Sequence, residues 1–91
     1  MFSEVLCIVS GAVQRVGYRD FVVQAAQNYN LKGYVKNRED GDVEILAQGI
    51  PDELKLFIEE LHAGSVLARV TSVGAEWRTP KKQYDDFELS F

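Results

Sequence analysis

Arg19 closes the stretch GAVQRVGYR at residues 11–19, where an apolar run from Val5 to Val9 gives way to residues at helical spacing (Tyr18, Phe21 or Val22, Ala25, Tyr29). A strand, loop and helix joined in this way leave the first backbone N–H groups of the helix unpaired, at the positive end of its dipole. Such a joint is a natural anion site. Gly11 and Gly17 would let the backbone turn tightly enough for several N–H groups to face one oxyanion. The Arg19 guanidinium beside them could grip two phosphate oxygens at once. The stretch also reads as a plain glycine-containing turn with a solvated arginine. A second stretch, GYVKNREDGDVEILAQG at residues 33–49, puts Asn37 at the end of a short strand. Its carboxamide both donates and accepts hydrogen bonds, so it could orient a water towards a phosphorus held by Arg19. An asparagine before a hairpin loop is equally a favoured turn residue.

The elements that must position these groups follow from periodicity. A first strand is expected over residues 3–10, with Val5, Cys7 and Val9 on one face and Leu6 and Ile8 on the other. A helix over residues 19–29 should end near Asn28 and Asn30, since asparagine tolerates the left-handed conformation that terminates many helices. Tyr34 to Asn37 form a second strand. The Asp40-Gly41 pair signals a hairpin into a third strand over residues 42–48, where Val43, Ile45 and Ala47 alternate with Glu44, Leu46 and Gln48. Pro51, Asp52 and Glu53 open a second helix with Leu54, Phe57, Ile58 and Leu61 as its apolar stripe, and Gly64 ends it. Thr71, Val73, Ala75 and Trp77 mark a fourth strand, residues 79–86 a loop, and Phe87, Leu89 and Phe91 the buried side of a closing strand. If the first strand lies beside the hairpin, the Arg19 loop and Asn37 meet at one edge of the sheet. The expected fold is α+β and ferredoxin-like, βαββαβ plus a short C-terminal strand, with two helices on one face of a mostly antiparallel sheet whose other face is partly wet.

Length and composition narrow the function. Ninety-one residues with a 46% hydrophobic share make one globular domain, expected over 1–91. The single cysteine, Cys7, cannot form an internal disulfide and falls in an apolar strand, which suggests a buried thiol and a reducing compartment. With no apolar stretch long enough for a signal peptide or a membrane span, the expected location is cytoplasmic. A net charge of −4 argues against general nucleic-acid or membrane binding. Five of the ten basic residues (Arg15, Arg19, Lys32, Lys36, Arg38) nevertheless fall in residues 15–38 with Asp20 as the only acid, a local basic region suited to a small anion.

The two stretches closely resemble the two signature motifs of acylphosphatases. Gly33, Tyr34, Val35, Lys36, Asn37, Gly41, Val43 and Gly49 meet the second throughout. Val9, Gly11, Val13, Gln14, Val16 and Arg19 meet the first, which is missed twice: Arg15 stands where the family has glycine and Tyr18 where it usually has phenylalanine. The resemblance extends over nearly the whole chain. It implies an enzyme that hydrolyses acyl phosphates to carboxylate and inorganic phosphate. Arg19 and loop backbone N–H groups (Gln14, Arg15, Val16, Gly17, Tyr18, Arg19) would bind the phosphate, and Asn37 would position the attacking water. No metal and no cofactor are implied, the partner is the small acyl phosphate itself, and a monomer is expected.

Other chemistry finds less support. His62 falls near the end of the second helix, where dipole interaction explains it. Glu39, Asp40 and Asp42 lack a metal-binding spacing. Lys32, Gly33 and Tyr34 imitate the start of an RNA-binding sheet motif, but on the wrong strand and in an acidic protein. A domain that binds phosphate or acyl phosphates without turnover is the remaining alternative. At residue 15, close backbone approach rather than a positive φ is the expected reason for the family's glycine, with Gly17 supplying the freedom the loop needs and the Arg15 side chain pointing outward.

Overall fold

The computed structural model describes residues 2–90. Its elements are β1 (Ser3–Ala12), α1 (Tyr18–Asn28), β2 (Lys32–Asn37), β3 (Val43–Gly49), α2 (Pro51–Ala63), β4 (Arg69–Arg78) and β5 (Phe87–Ser90). One five-stranded sheet runs in the order β4-β1-β3-β2-β5. Every pairing is antiparallel except that of β2 with β5. This is the ferredoxin-like plan that the element order suggests, with a fifth strand added beside β2.

Both helices cover the same face. Val5, Cys7 and Val9 of β1, Val35 of β2 and Val43, Ile45 and Ala47 of β3 form one buried cluster with Val22, Ala25 and Ala26 of α1 and Leu54, Phe57 and Leu61 of α2. The alternation along the strands is what delivers these residues to one side. Burial raises the Cys7 thiol pKa to about 12, so it packs as a small apolar group.

The helix ends follow local chemistry. Asn30 carries a φ of 56°, while Leu31 N–H donates to Ala26 O (2.9 Å) and Asn30 N–H to Gln27 O (3.1 Å). That is a Schellman closure with asparagine in the left-handed place. Pro51 begins α2 and Gly64, at φ 75°, follows its end.

Three features add to the sequence expectation. First, β1 and β4 each run two residues further at the ends where they meet, pairing Gly11 with Val70 and Ala12 with Arg69 beyond a bulge at Ser10/Gly11. Gly11 has φ 126°, and a Cβ there would sit 2.1 Å from the Arg69 carbonyl oxygen, so this glycine serves the strand crossing rather than the anion loop. Second, β4 is an edge strand and mostly exposed; Val70 and Val73 alone among its residues pack against the core. Third, the far face of the sheet is not simply wet. Glu4 is 3% exposed and Gln48 0%. Gln48 Nε2 donates to Glu4 Oε1 (2.7 Å) and to the Lys82 carbonyl (2.6 Å), and Tyr84 N–H donates to Gln48 Oε1 (3.2 Å). The loop before β5 thus folds back over these strands, and the buried polar pair is satisfied internally. On the closing strand Phe87 is buried, while Phe91 lies outside the described residues.

Because the obstacle at Gly11 is backbone, it cannot rotate away. Gly11→Ala should lower unfolding free energy by about 2 kcal/mol or more. Urea denaturation of the two proteins measures this, and an unchanged midpoint would show that the crossing adjusts freely.

Candidate active site

Residues 13–17 connect β1 to α1. Val13 is buried and its N–H donates to Gly11 O (3.0 Å), which anchors the start of the loop. From Gln14 to Tyr18 no backbone N–H donates to another described residue. Arg15 (φ 61°) and Gly17 (φ 76°) are left-handed, whereas Val16 between them is not. Alternation of this kind curls successive N–H groups towards one point and forms an anion-binding concavity. Gly17 caps α1 without any side chain over the helix start, and nothing lies within 4 Å of where its Cβ would be. The positive end of the helix dipole faces the same space. On the far side of the loop, Ser65 Oγ donates to Val16 O (3.2 Å) and holds the loop from behind.

A cleft of about 140 Å³ opens here, lined by Val13, Arg15, Gly17, Tyr18, Arg19, Asp20 and Leu89. That is roughly ten times the space one water needs. Arg19 is half-buried in the first turn of α1, and its Nη1 donates to the Ser90 carbonyl (3.3 Å). The guanidinium is therefore oriented by the end of β5. The sequence carries no signal for this: β5 is 71 residues away and reaches the site only because it pairs in parallel with β2, Ser90 opposite Lys36.

Asn37 is the residue after Lys36 and the last of β2. It lies two residues from Val35, which is fully buried, so strand alternation turns it towards the helix face. Its cross-strand partner is Val43, which in turn lies level with Val9. Among the described residues, Asn37 Oδ1 is the buried side-chain oxygen or nitrogen without a hydrogen-bond partner. Such atoms are rare in folded proteins and mark places where a ligand or water is expected.

Gln14 is placed differently from the rest of its loop. Its Nε2 donates to Arg38 O (2.8 Å) and Asp42 O (2.9 Å), so the side chain crosses to the β2–β3 hairpin and does not line the cleft. Tyr18 turns inward: it is 1% exposed and its hydroxyl donates to Leu61 O (2.8 Å) at the end of α2. Burial, and then the nearby Cys7, push its phenol well above the usual range. The hydroxyl that distinguishes it from phenylalanine thus fills a carbonyl that the helix end leaves open.

The basic region of residues 15–38 does not act as one group. Arg15 and Arg19 border the cleft, but Lys36 (3.9 Å) and Arg38 (3.3 Å) both pair with Glu44, and Arg38 also with Asp40 (3.3 Å). Tyr34, the aromatic that suggested RNA binding, donates its hydroxyl to Glu44 Oε2 (2.5 Å). His62 is exposed in the last turn of α2. Among the described residues no group of three or more His, Cys, Asp or Glu side chains comes together to hold a metal ion, and no helix is long and apolar enough to cross a membrane.

The sequence profile of the acylphosphatase family matches residues 5–89. The chain belongs to the acylphosphatase family. An acylphosphatase of Bacillus velezensis is 44% identical over 84 residues, 92% of this chain and 93% of that protein. Among solved structures, the crystal structure of acylphosphatase from Bacillus subtilis superposes with a TM-score of 0.95 at 37% identity, covering 100% of both chains. An acylphosphatase from Coxiella burnetii follows at 0.93 and 35%, covering 98% of this chain and 93% of that one.

Against that family the departure at residue 15 takes on a definite meaning. The expectation of a negative φ there is wrong: Arg15 is left-handed, with an exposed side chain. The loop keeps the curl that a glycine would permit and accepts the steric cost of an arginine. Left-handed strain of about 1–2 kcal/mol is offset in Arg15→Gly by the extra freedom of an unfolded glycine, about 0.5–1 kcal/mol. Arg15→Gly should therefore leave stability within about 1 kcal/mol, whereas the β-branched Arg15→Val should lose about 1 kcal/mol or more. Thermal melts of the three proteins measure this. Equal losses in both variants would show that contacts of the arginine side chain, and not φ, decide.

Proposed function

We propose that the acyl phosphate hydrolysis of the family is carried out here by Arg19, the loop backbone N–H groups and Asn37, without a metal or cofactor. The observation that supports this reading is the buried Asn37 Oδ1, without a partner among the described residues, on a strand end tied to the loop and first turn of α1 through the Gln14–Arg38 and Arg19–Ser90 hydrogen bonds; Asn37 itself is not among the residues that line the cleft. In the bound state the N–H groups of residues 14–19 and the Arg19 guanidinium hold the phosphate oxygens. Asn37 Oδ1 accepts a hydrogen from a water and so turns that water's lone pair towards phosphorus. The water oxygen forms a new P–O bond while the bond from phosphorus to the acyl oxygen breaks, and the carboxylate leaves with that electron pair. The proton released by the water passes to a phosphate oxygen.

A carboxylate is a good leaving group, so positioning and charge stabilisation suffice and no strong general base is needed. The residues present suit that demand. Cys7 is sealed in the core with a raised pKa, and His62 is exposed in the last turn of α2 and does not line the cleft, so neither is assigned as nucleophile or base. The cleft offers cationic and N–H donors with one carboxylate, Asp20, which is a poor donor set for magnesium. A monomeric cytoplasmic enzyme whose partner is the small substrate, with neither nucleic acid nor membrane, fits the acidic surface and the single buried cysteine.

Assays of purified protein with acetyl phosphate and benzoyl phosphate test this. Arg19→Ala should abolish turnover and weaken inhibition by inorganic phosphate. Asn37→Ala should lower kcat by at least about a hundredfold and keep phosphate inhibition nearly intact, because a water-orienting group acts in the transition state. Phosphate binding without turnover in the parent protein would favour a binding module instead. Activity should also survive exhaustive EDTA treatment; recovery only on addition of magnesium would overturn the metal-free mechanism.

A further inference from the structure

The two halves of the site sit on different elements, Arg19 at the start of α1 and Asn37 at the end of β2, and something must set the spacing between them. Gln14 reaches across this division. Its Nε2 carries two hydrogens and both are used, on Arg38 O at 2.8 Å and on Asp42 O at 2.9 Å. These two carbonyls close the hairpin. Arg38 N–H donates to Asp42 O (2.8 Å) and Gly41 N–H to Arg38 O (3.2 Å), so each carbonyl receives one bond from the hairpin and one from Gln14. Arg38 is the residue after Asn37, and on the other side of Asn37 Lys36 pairs with Ser90, the residue that holds Arg19. Asn37 is thus bracketed by two ties to the loop and first turn of α1.

We infer that Gln14 is a positioning residue: its carboxamide straps the phosphate loop to the hairpin and fixes Asn37 relative to the cradle. This rests on the reading of Asn37 as the group that orients the attacking water. Both donors are spent on the hairpin, so the Gln14 side chain takes no share in phosphate binding. Loss of the strap leaves the N–H cradle and Arg19 in place but lets Asn37 shift, and a misplacement of about 1 Å is enough to slow such a step by up to about a hundredfold. The effect falls on kcat, not on affinity.

The near-isosteric Gln14→Met removes both donors. It should lower kcat for benzoyl phosphate by about 10- to 100-fold, with KM and the inhibition constant of inorganic phosphate within about threefold and a native near-ultraviolet circular dichroism spectrum. In an Asn37→Ala background the same change should cost less than about twofold, since it acts through Asn37. Gln14→Glu supplies a second readout. Its carboxylate faces two carbonyls at pH 7, and its protonated form donates one hydrogen again, so the ratio of its kcat to that of the parent should rise several-fold between pH 7 and pH 4. If Gln14→Met does not fold, this ratio carries the test, and a flat ratio overturns the inference. So does an unchanged kcat in Gln14→Met, a parallel loss of phosphate affinity, or full additivity with Asn37→Ala. An Asn37→Ala enzyme with parental kcat overturns the water-orienting reading itself, and the strap with it; Asn37→Ala inactive beside a fully active Gln14→Met overturns the strap alone.

Discussion

One lateral register holds the site together: Val9, Val43 and Asn37 lie level across β1, β3 and β2. A slip of one residue in any of these pairings would turn every side chain of that strand to the opposite face. Three inward apolar residues on β1 and three on β3 resist such a slip through the core they build under the helices. The opposite face resists it too, because Glu4 and Gln48 are opposite each other in this register and their buried hydrogen bond exists only there. With the register set, strand alternation turns Asn37 towards the face that carries α1, at the end of the sheet where α1 begins. The placement of Asn37 at the loop's end of the sheet is therefore a consequence of core packing several residues away.

The loop itself trades local comfort for an arrangement of donors. A row of N–H groups without partners among the described residues is costly only where water is excluded, and this row lies at an open cleft. Two left-handed residues give the row its curl, and one of them is an arginine that bears steric strain with its side chain exposed. Two ties keep the strained segment in place, the Ser65 hydroxyl on Val16 O and the bond from Arg19 to Ser90, while the Gln14 strap joins the loop to the hairpin. Each joins the loop to a different element, so its shape depends on the whole fold.

Charge on this protein is organised at short range. A chain of net charge −4 draws no anion towards itself from a distance, since exposed charges are screened beyond roughly 8–10 Å. Glu44 gathers Lys36, Arg38 and the Tyr34 hydroxyl into one network on the far face of the sheet, which leaves Arg15, Arg19 and the start of α1 to set the potential of the cleft.

The two motifs, the apolar periodicities and the capping residues are local, and the sequence alone was enough to place the elements within a few residues and to name Arg19, the loop and Asn37 as candidates. Alternation also separated the two faces of β1 and β3, because a period of two is written in the residues themselves, though both faces of β1 are apolar and only the packing of the helices shows which is inward. What tertiary structure decided is whatever depends on a partner distant in the chain. The extension of β1 and β4 past the bulge exists because each strand offers hydrogen bonds to the other, which no propensity of Gly11, Ala12 or Arg69 announces. The burial of Glu4 and Gln48, polar residues in alternating strands, required a loop to fold over them. The positive φ of Arg15 belongs to the folded loop and runs against the preference of an arginine for the right-handed region. Most of all, the orientation of Arg19 by Ser90 and the strap from Gln14 join residues 71 and 24–28 positions apart, and only the sheet order brings them together.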